Sequence, residues 1–265
     1  MIKIGKENYA QFVALASANT CNTVYPMSVA QRFQEGDIFT DCIENPTYAL
    51  FWHVSGFAYL TGRPSLEELQ KIYLLLKNEN GMNPRRFVLE LKDEVVESYF
   101  REKKDVERHP RYRFRLGKYL RADGSKSVIG KQPQIPAGYE LKEISPDLLE
   151  KISGRIVPSL FWSSAEEFLQ KGKGYCLVYE GEVAAVAFSA AISSSQVDIG
   201  VETTPAHRRK GLAAIVANQM VTYVESSGKE PVWDCDMVNL GSKATAEKVG
   251  FEVMAEHAYY SVTQV

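Results

Sequence analysis

The stretch Gln196-Val197-Asp198-Ile199-Gly200-Val201-Glu202-Thr203-Thr204-Pro205-Ala206-His207-Arg208-Arg209-Lys210-Gly211-Leu212-Ala213 decides how the chain is read. Its first eight residues alternate apolar and non-apolar side chains, the period of a strand with one packed face. A basic turn follows, and the run from Leu212 to about Val224 has the apolar content of a buried helix. A strand that empties through a basic, glycine-containing turn straight into a helix suits an oligophosphate. The first helical N–H groups have no partner within the helix, the helix dipole favours negative charge at that end, and a glycine lets a ligand approach the backbone. Arg208, Arg209 and Lys210 add positive charge at the same place. The plain alternative is a solvated charged turn, because charged residues are mostly exposed in any protein.

Downstream, Val232-Trp233-Asp234-Cys235-Asp236 reads as a strand, and a helix from about Ser242 to Val249 stops at Gly250, which suits a left-handed C-terminal position. Two strand-like pieces, Phe251 to Glu256 and a second through Tyr260, close the chain. Upstream, Gly174 to Tyr179 and Val183 to Phe188 form a hairpin about Glu180-Gly181-Glu182. Before it come a strand over Tyr139 to Ile144 and helices beginning near Ser145-Pro146 and Ser163. Between Leu120 and Gly138 glycine, proline and polar residues crowd together as a linker or a long hairpin loop, and the domain boundary is placed there, giving units 1–130 and 131–265. The first unit is mixed α/β. A helix is expected over residues 7–18, with Tyr9, Phe12, Val13 and Ala16 on one face and a less regular segment after Asn19. Strands are expected at 48–53, 56–60, 86–91 and 112–116, and a charged helix at 93–104. A capped helix is expected to start at Ser65, with Glu68 three residues on and a Leu69, Ile72, Leu75, Leu76 stripe.

Composition narrows the function. Lys plus Arg total 31 against 33 Asp plus Glu, so the net charge of −2 gives no broad footprint for nucleic acid or an anionic membrane. The four cysteines, Cys21, Cys42, Cys176 and Cys235, have no metal-ligand spacing, which reads as a reduced chain without a metal site. His53, His109 and His257 lack partners at metal spacing. With no signal-peptide core at the start and no membrane-length apolar run, the expected location is cytoplasmic.

The segment from about Gly138 to Val262 resembles the GNAT superfamily of N-acetyltransferases, whose signature is Arg or Gln, two residues, Gly, one residue, then Gly or Ala. Arg208, Gly211 and Ala213 stand at those positions. The Val201 to Pro205 strand exit, the Asn239-Leu240-Gly241-Ser242 segment and the Val249-Gly250-Phe251 close follow in family order. The resemblance implies an α/β (α+β) GNAT fold, in which a mixed central sheet holds two splayed parallel strands. Acetyl-CoA would be held by the amides of Arg208, Arg209, Lys210, Gly211, Leu212 and Ala213. Its pantetheine arm would pair along the edge that carries Ile199 and Val201, with Asn239 and Ser242 reaching it from the next helix start; both of the latter also read as simple helix caps. The first unit reads as a degenerate GNAT-like half, without a second Arg-x-x-Gly-x-Ala. This arrangement resembles the bacterial group that includes the zwittermicin-resistance acetyltransferases.

Thioester-to-amine transfer needs a base, a polarised carbonyl and a proton for the departing thiolate. Glu202, at the strand end, is the expected base, with surface polarity as its alternative; Asp234 and Asp236 are fallback bases. Many family members carry a tyrosine four residues before the Gly of the Gly-Phe pair, and Ala246 stands there instead. Tyr259 and Tyr260 are the remaining tyrosine candidates for the acid. The expected activity is N-acetylation of a primary amine on a small molecule. A CoA-sensing or interaction module without turnover is the competing reading, and acylation of a protein amine ranks third. The expected partner is the amine substrate, with no nucleic acid and no membrane; a homodimer is the oligomer to test.

Overall fold

In a computed structural model the chain divides into two compact units, residues 1–113 with 255–265 and residues 114–254. The structure describes residues 1–117, 119–120, 126–127 and 134–262. The boundary expected at 130/131 lies outside the described residues, as does most of the linker expected between Leu120 and Gly138.

In the first unit β1 (Ile2–Lys3), β2 (Gly36–Thr40), β3 (Tyr48–His53), β4 (Phe57–Gly62) and β5 (Val88–Leu91) lie side by side in that order. Pairing is antiparallel up to β4, which meets β5 in parallel with Phe57 opposite Val88. The helices are α1 (Val13–Ser17), α2 (Val24–Ala30), α3 (Leu66–Lys77) and α4 (Glu94–Arg101), and the strand β6 (Val106–Leu116) begins here. Helix α3 starts as its sequence dictates: the Ser65 hydroxyl accepts the Glu68 N–H at 3.3 Å, and Asn78 ends the helix with φ of 47°. Leu69, Ile72 and Leu76 are buried, whereas Leu75 only flanks the core formed with Tyr48, Leu50, Trp52, Leu89, Phe100 and Tyr260. Asp93 caps α4 by accepting the Val95 and Val96 amides. The helix expected over 7–18 is instead a 3-10 turn, Lys6–Phe12, followed by the short α1. The irregular stretch after Asn19 contains α2, almost wholly buried, a helix whose apolar residues show no one-sided period because it has no wet side.

The second unit holds β7 (Tyr119–Leu120), β8 (Lys126–Ser127), β9 (Tyr139–Glu143), β10 (Gly174–Tyr179), β11 (Glu182–Ile192), β12 (Gln196–Thr203) and β13 (Glu230–Asp236). Its helices are α5 (Pro146–Lys151), α6 (Ala165–Lys171), α7 (Leu212–Ser226) and α8 (Leu240–Val249). Strands β7 and β8 pair antiparallel as the arms of a small hairpin. The sheet runs β9, β10, β11, β12, β13, antiparallel except for the last pair, which is parallel across α7. Between β10 and β11, Glu180 and Gly181 have φ of 51° and 82°, the doubly left-handed turn that matches strand twist. Both units therefore repeat one succession: three antiparallel strands, a helix, a parallel strand and a second helix.

The chain ends in one strand, β14 (Phe251–Val262), rather than two pieces. From Ala255 onward it belongs to the first unit, pairing with β5 so that Tyr260 faces Leu89. Buried polar side chains accompany that pairing: His257 Nε2 lies 3.0 Å from the Glu90 carboxylate, and Arg111 of β6 lies 3.4 Å from the same carboxylate. Among the described residues no helix is long and apolar enough to cross a membrane.

Candidate active site

The turn between β12 and α7 gathers most of the residues singled out from the sequence. Gly211 is the N-terminal boundary residue of α7, with φ of 77°, and no side chain caps the helix. Among the described residues its first-turn amides have neither an intrahelical partner nor a side-chain cap. Helix α7 is pinned behind this opening by Leu212, Ile215, Val216, Met220 and Val221, all buried. Arg209 also adopts a left-handed backbone, φ of 62°, which costs a non-glycine residue about 1 kcal/mol and is tolerated where surrounding structure imposes it, commonly at ligand sites.

The strands behind the turn diverge. Strands β12 and β13 pair only through Gln196, Val197 and Asp198, although β12 continues to Thr203 and β13 to Asp236. On its other side β12 stays paired with β11 up to Thr203. Among the described residues the edge of β12 from Ile199 to Thr203 that faces β13 thus has no partner strand, and its backbone groups are available to an extended ligand. The Thr203 hydroxyl, buried at the end of that strand, has no hydrogen-bond partner among the described residues.

Glu202 points into a loop after α5. Its Oε2 accepts the amides of Arg155 and Ile156 at 3.2 and 3.1 Å, and Arg208 Nη2 donates to Oε1 at 3.4 Å. Only glycine fits opposite: a β-carbon on Gly154, whose φ is 140°, would lie 2.7 Å from Glu202 Cγ. The carboxylate is anchored through one oxygen, leaving Oε1 with the weaker contact. Arg208 also donates from Nε to the Thr203 carbonyl at 3.1 Å. Lys210 donates to the Tyr139 hydroxyl at 3.1 Å, which lies 2.7 Å from His207 Nδ1, so β9 braces the turn. Gly154, the Arg155 and Ile156 amides and Tyr139 were not singled out as site residues from the sequence. Tyr139 reaches the turn from β9 and the others meet Glu202 from the loop after α5, and their chain positions carry no motif.

The remaining expected residues divide. Asn239 caps α8, its Oδ1 accepting the Ser242 N–H at 3.0 Å, and the Ser242 hydroxyl accepts the Trp233 indole N–H at 3.1 Å. Trp233 and Cys235 are buried and alternate with half-buried Asp234 and Asp236, as the strand period requires. Ala246 is fully buried in α8. Tyr259 and Tyr260 both fall in the first unit. Tyr260 is a core side chain whose hydroxyl donates to Glu97 at 2.6 Å, and burial together with that carboxylate pushes its pKa up to about 12. Tyr259 stacks on His109 with ring centroids 4.4 Å apart.

The model of the GNAT acetyltransferase family matches residues 15–260. The chain belongs to the GNAT acetyltransferase family. An uncharacterized N-acetyltransferase, YdfB, of Bacillus subtilis (strain 168) is 23% identical over 262 residues, covering 97% of each chain. Among solved structures, a GCN5-related N-acetyltransferase-like protein from Streptococcus suis 89/1591 superposes with a TM-score of 0.75 at 23% identity, over 98% of this chain and 100% of that one. A tandem GNAT protein from the clavulanic acid biosynthesis pathway superposes with a TM-score of 0.59 at 14% identity, over 98% and 96% of the two chains. These likenesses show the GNAT fold. The family match also runs through both units, so the first unit belongs to the family pattern and is not an unrelated addition.

Proposed function

We propose that this acetyltransferase moves the acetyl group of acetyl-CoA directly to a primary amine of a small molecule, within a complex that holds donor and acceptor together. The observation that carries the proposal is the parting of β12 and β13 beyond Asp198, beside a helix that opens at Gly211 without a cap. Acetyl-CoA, the donor the family generally uses, fits the residues present. The amides of Arg208 to Ala213 and the flanking cations suit a diphosphate, and the free edge at Ile199 and Val201 suits an extended amide-bearing arm. When bound, the donor supplies a thioester, and all else falls to the protein. The edge of β12 orients the arm, the helix start fixes the phosphates, and Glu202 Oε1 takes a proton from the amine, directly or through water. Anchoring Oε2 on two amides holds that base in place. We assign no acid: Ala246 has no ionisable group, and a thiol pKa of about 8.5 lets a thiolate leave to solvent.

The reading extends to a bacterial, cytoplasmic enzyme akin to the zwittermicin-resistance group, with the first unit as a degenerate GNAT-like half. Calorimetric titration with acetyl-CoA tests the cradle: binding in the micromolar range, lost in Gly211→Glu, is expected. Ala246 favours a second reading, a CoA-binding sensor or interaction module without turnover. Incubation with acetyl-CoA and a broad panel of amines, following free thiol, separates the two. Acceptor-dependent thiol release supports the enzyme; binding without it supports the sensor.

A further inference from the structure

Gly200 lies inside β12, two residues before Glu202 and on the same face of the strand. A glycine weakens a strand interior, and this one is not needed for its backbone, because its φ is not left-handed. Space explains it. A β-carbon there would lie 2.7 Å from Cζ and 2.9 Å from Cε1 of Phe188, which stands opposite on β11 and is fully buried. The Phe188 ring thus lies across β12 where a side chain of that strand would otherwise stand. It packs edge-on against Phe161, ring centroids 5.7 Å apart, and against Phe168 of α6. Phe161 belongs to the segment between α5 and α6 that also carries Arg155 and Ile156, whose amides hold Glu202 Oε2. The adjacent Trp162 indole donates to the carbonyl of Ser189, next to Phe188 in the chain, at 2.9 Å. The segment therefore meets the sheet twice, residues 154–156 on Glu202 and residues 161–162 on β11, with only residues 157–160 between. Residues 152–157 form neither helix nor strand, so what anchors the segment decides where their amides lie.

We infer that Phe188 is a positioning residue for the base: seated over Gly200, it holds Phe161 and, through it, the Arg155 and Ile156 amides against Glu202. The inference rests on the reading of Glu202 as the base. It accounts for two glycines together, since Gly154 admits the Glu202 side chain to the loop and Gly200 admits the Phe188 ring to the strand. A plain core contact would cost stability and nothing more. A positioning role demands that the effect of Phe188 pass through Glu202.

Backbone amide NMR on the full chain reads this directly, comparing wild type with Phe188→Leu, Glu202→Gln and the double variant. In wild type the Arg155 and Ile156 amides are expected to exchange slowly, and Glu202→Gln is expected to move both resonances. In Phe188→Leu the two amides should exchange at least roughly tenfold faster while the β10 amides paired with β9 keep their protection, and adding Glu202→Gln should no longer move them. Gly200→Ala, which displaces the ring from the strand side, and Phe161→Leu, which trims its partner on the loop side, should do the same, so a single variant that fails to fold does not decide the matter. Wild-type exchange at Arg155 and Ile156 in the folded variants overturns the inference, as does exchange that rises equally through β9 and β10. In the amine-panel assay Phe188→Leu should lower acceptor-dependent thiol release by roughly tenfold with wild-type acetyl-CoA affinity, and lower it no further in the Glu202→Gln background. An equal loss in both backgrounds overturns the inference too. Thiol release that Glu202→Gln leaves unchanged removes the base reading instead, and amide exchange still decides whether Phe188 holds the loop.

Discussion

In the first unit the parallel strands β4 and β5 are joined through α3, whose opening turn is closed by the Ser65 hydroxyl on the Glu68 amide. In the second, the parallel strands β12 and β13 are joined through α7, whose opening turn begins at Gly211 and is closed by no side chain. The difference extends to charge. At the start of α3 the protein supplies its own anion: Glu68 accepts hydrogen bonds from Lys71, the amino terminus and Tyr48. At the start of α7 it supplies cations. One succession of elements therefore either consumes its helix start internally or presents it, according to the residue at the boundary position. A hydroxyl takes an amide that an anionic ligand would need; a glycine leaves it free and lets the ligand approach.

Several substitutions sharpen this contrast. The largest effect is expected from Gly211→Glu, which places a carboxylate on the open amides: acetyl-CoA affinity by calorimetry should fall by roughly a hundredfold or more while the folded state persists. Wild-type affinity in that variant would equate the two helix starts. Next, Glu202→Gln should lower kcat by about a hundredfold once an acceptor is in hand, with KM for acetyl-CoA little changed. Gly154→Ala forces a β-carbon against Glu202 and strains a φ of 140°, so roughly a tenfold drop in kcat is expected, again with donor binding retained. On the closed side, Ser65→Ala should cost about 1 kcal/mol of stability, seen as a Tm lower by about 2–4 °C, and leave acetyl-CoA affinity untouched. The smallest effect concerns pH. Burial works against ionising Glu68, but hydrogen bonds from Lys71, the amino terminus and Tyr48 outweigh it and lower its pKa from 4.5 to about 2. A folded-state pKa below the unfolded one gives stability that is present above about 4.5 and lost as pH falls toward 2. Glu68→Gln should flatten the denaturation midpoint across that window.

The open turn was legible in the sequence because each of its parts is local. Alternation through Thr203, a basic run, Gly211 and an apolar helix follow one another within one stretch of chain. The Ser65 cap was legible for the same reason. What escaped depends on contacts distant in sequence. Helix α2 is buried almost all round, so it carries no one-sided pattern; β14 crosses into the first unit, which its own residues do not announce. The hydrogen bond from the Tyr260 hydroxyl to Glu97 is likewise invisible in the sequence. The bracing of the turn by Tyr139 and the clasp of Glu202 by the loop at Gly154 both come through the fold and not through spacing.

The most direct measurement is a backbone amide NMR titration of the whole chain with acetyl-CoA, comparing the two helix starts in one experiment. The account predicts large, saturable shifts at Arg209, Gly211, Leu212 and Ala213, with Leu66, Glu67 and Glu68 unmoved. Saturation that leaves the residues at Gly211 unshifted, or that moves the start of α3 instead, would contradict it.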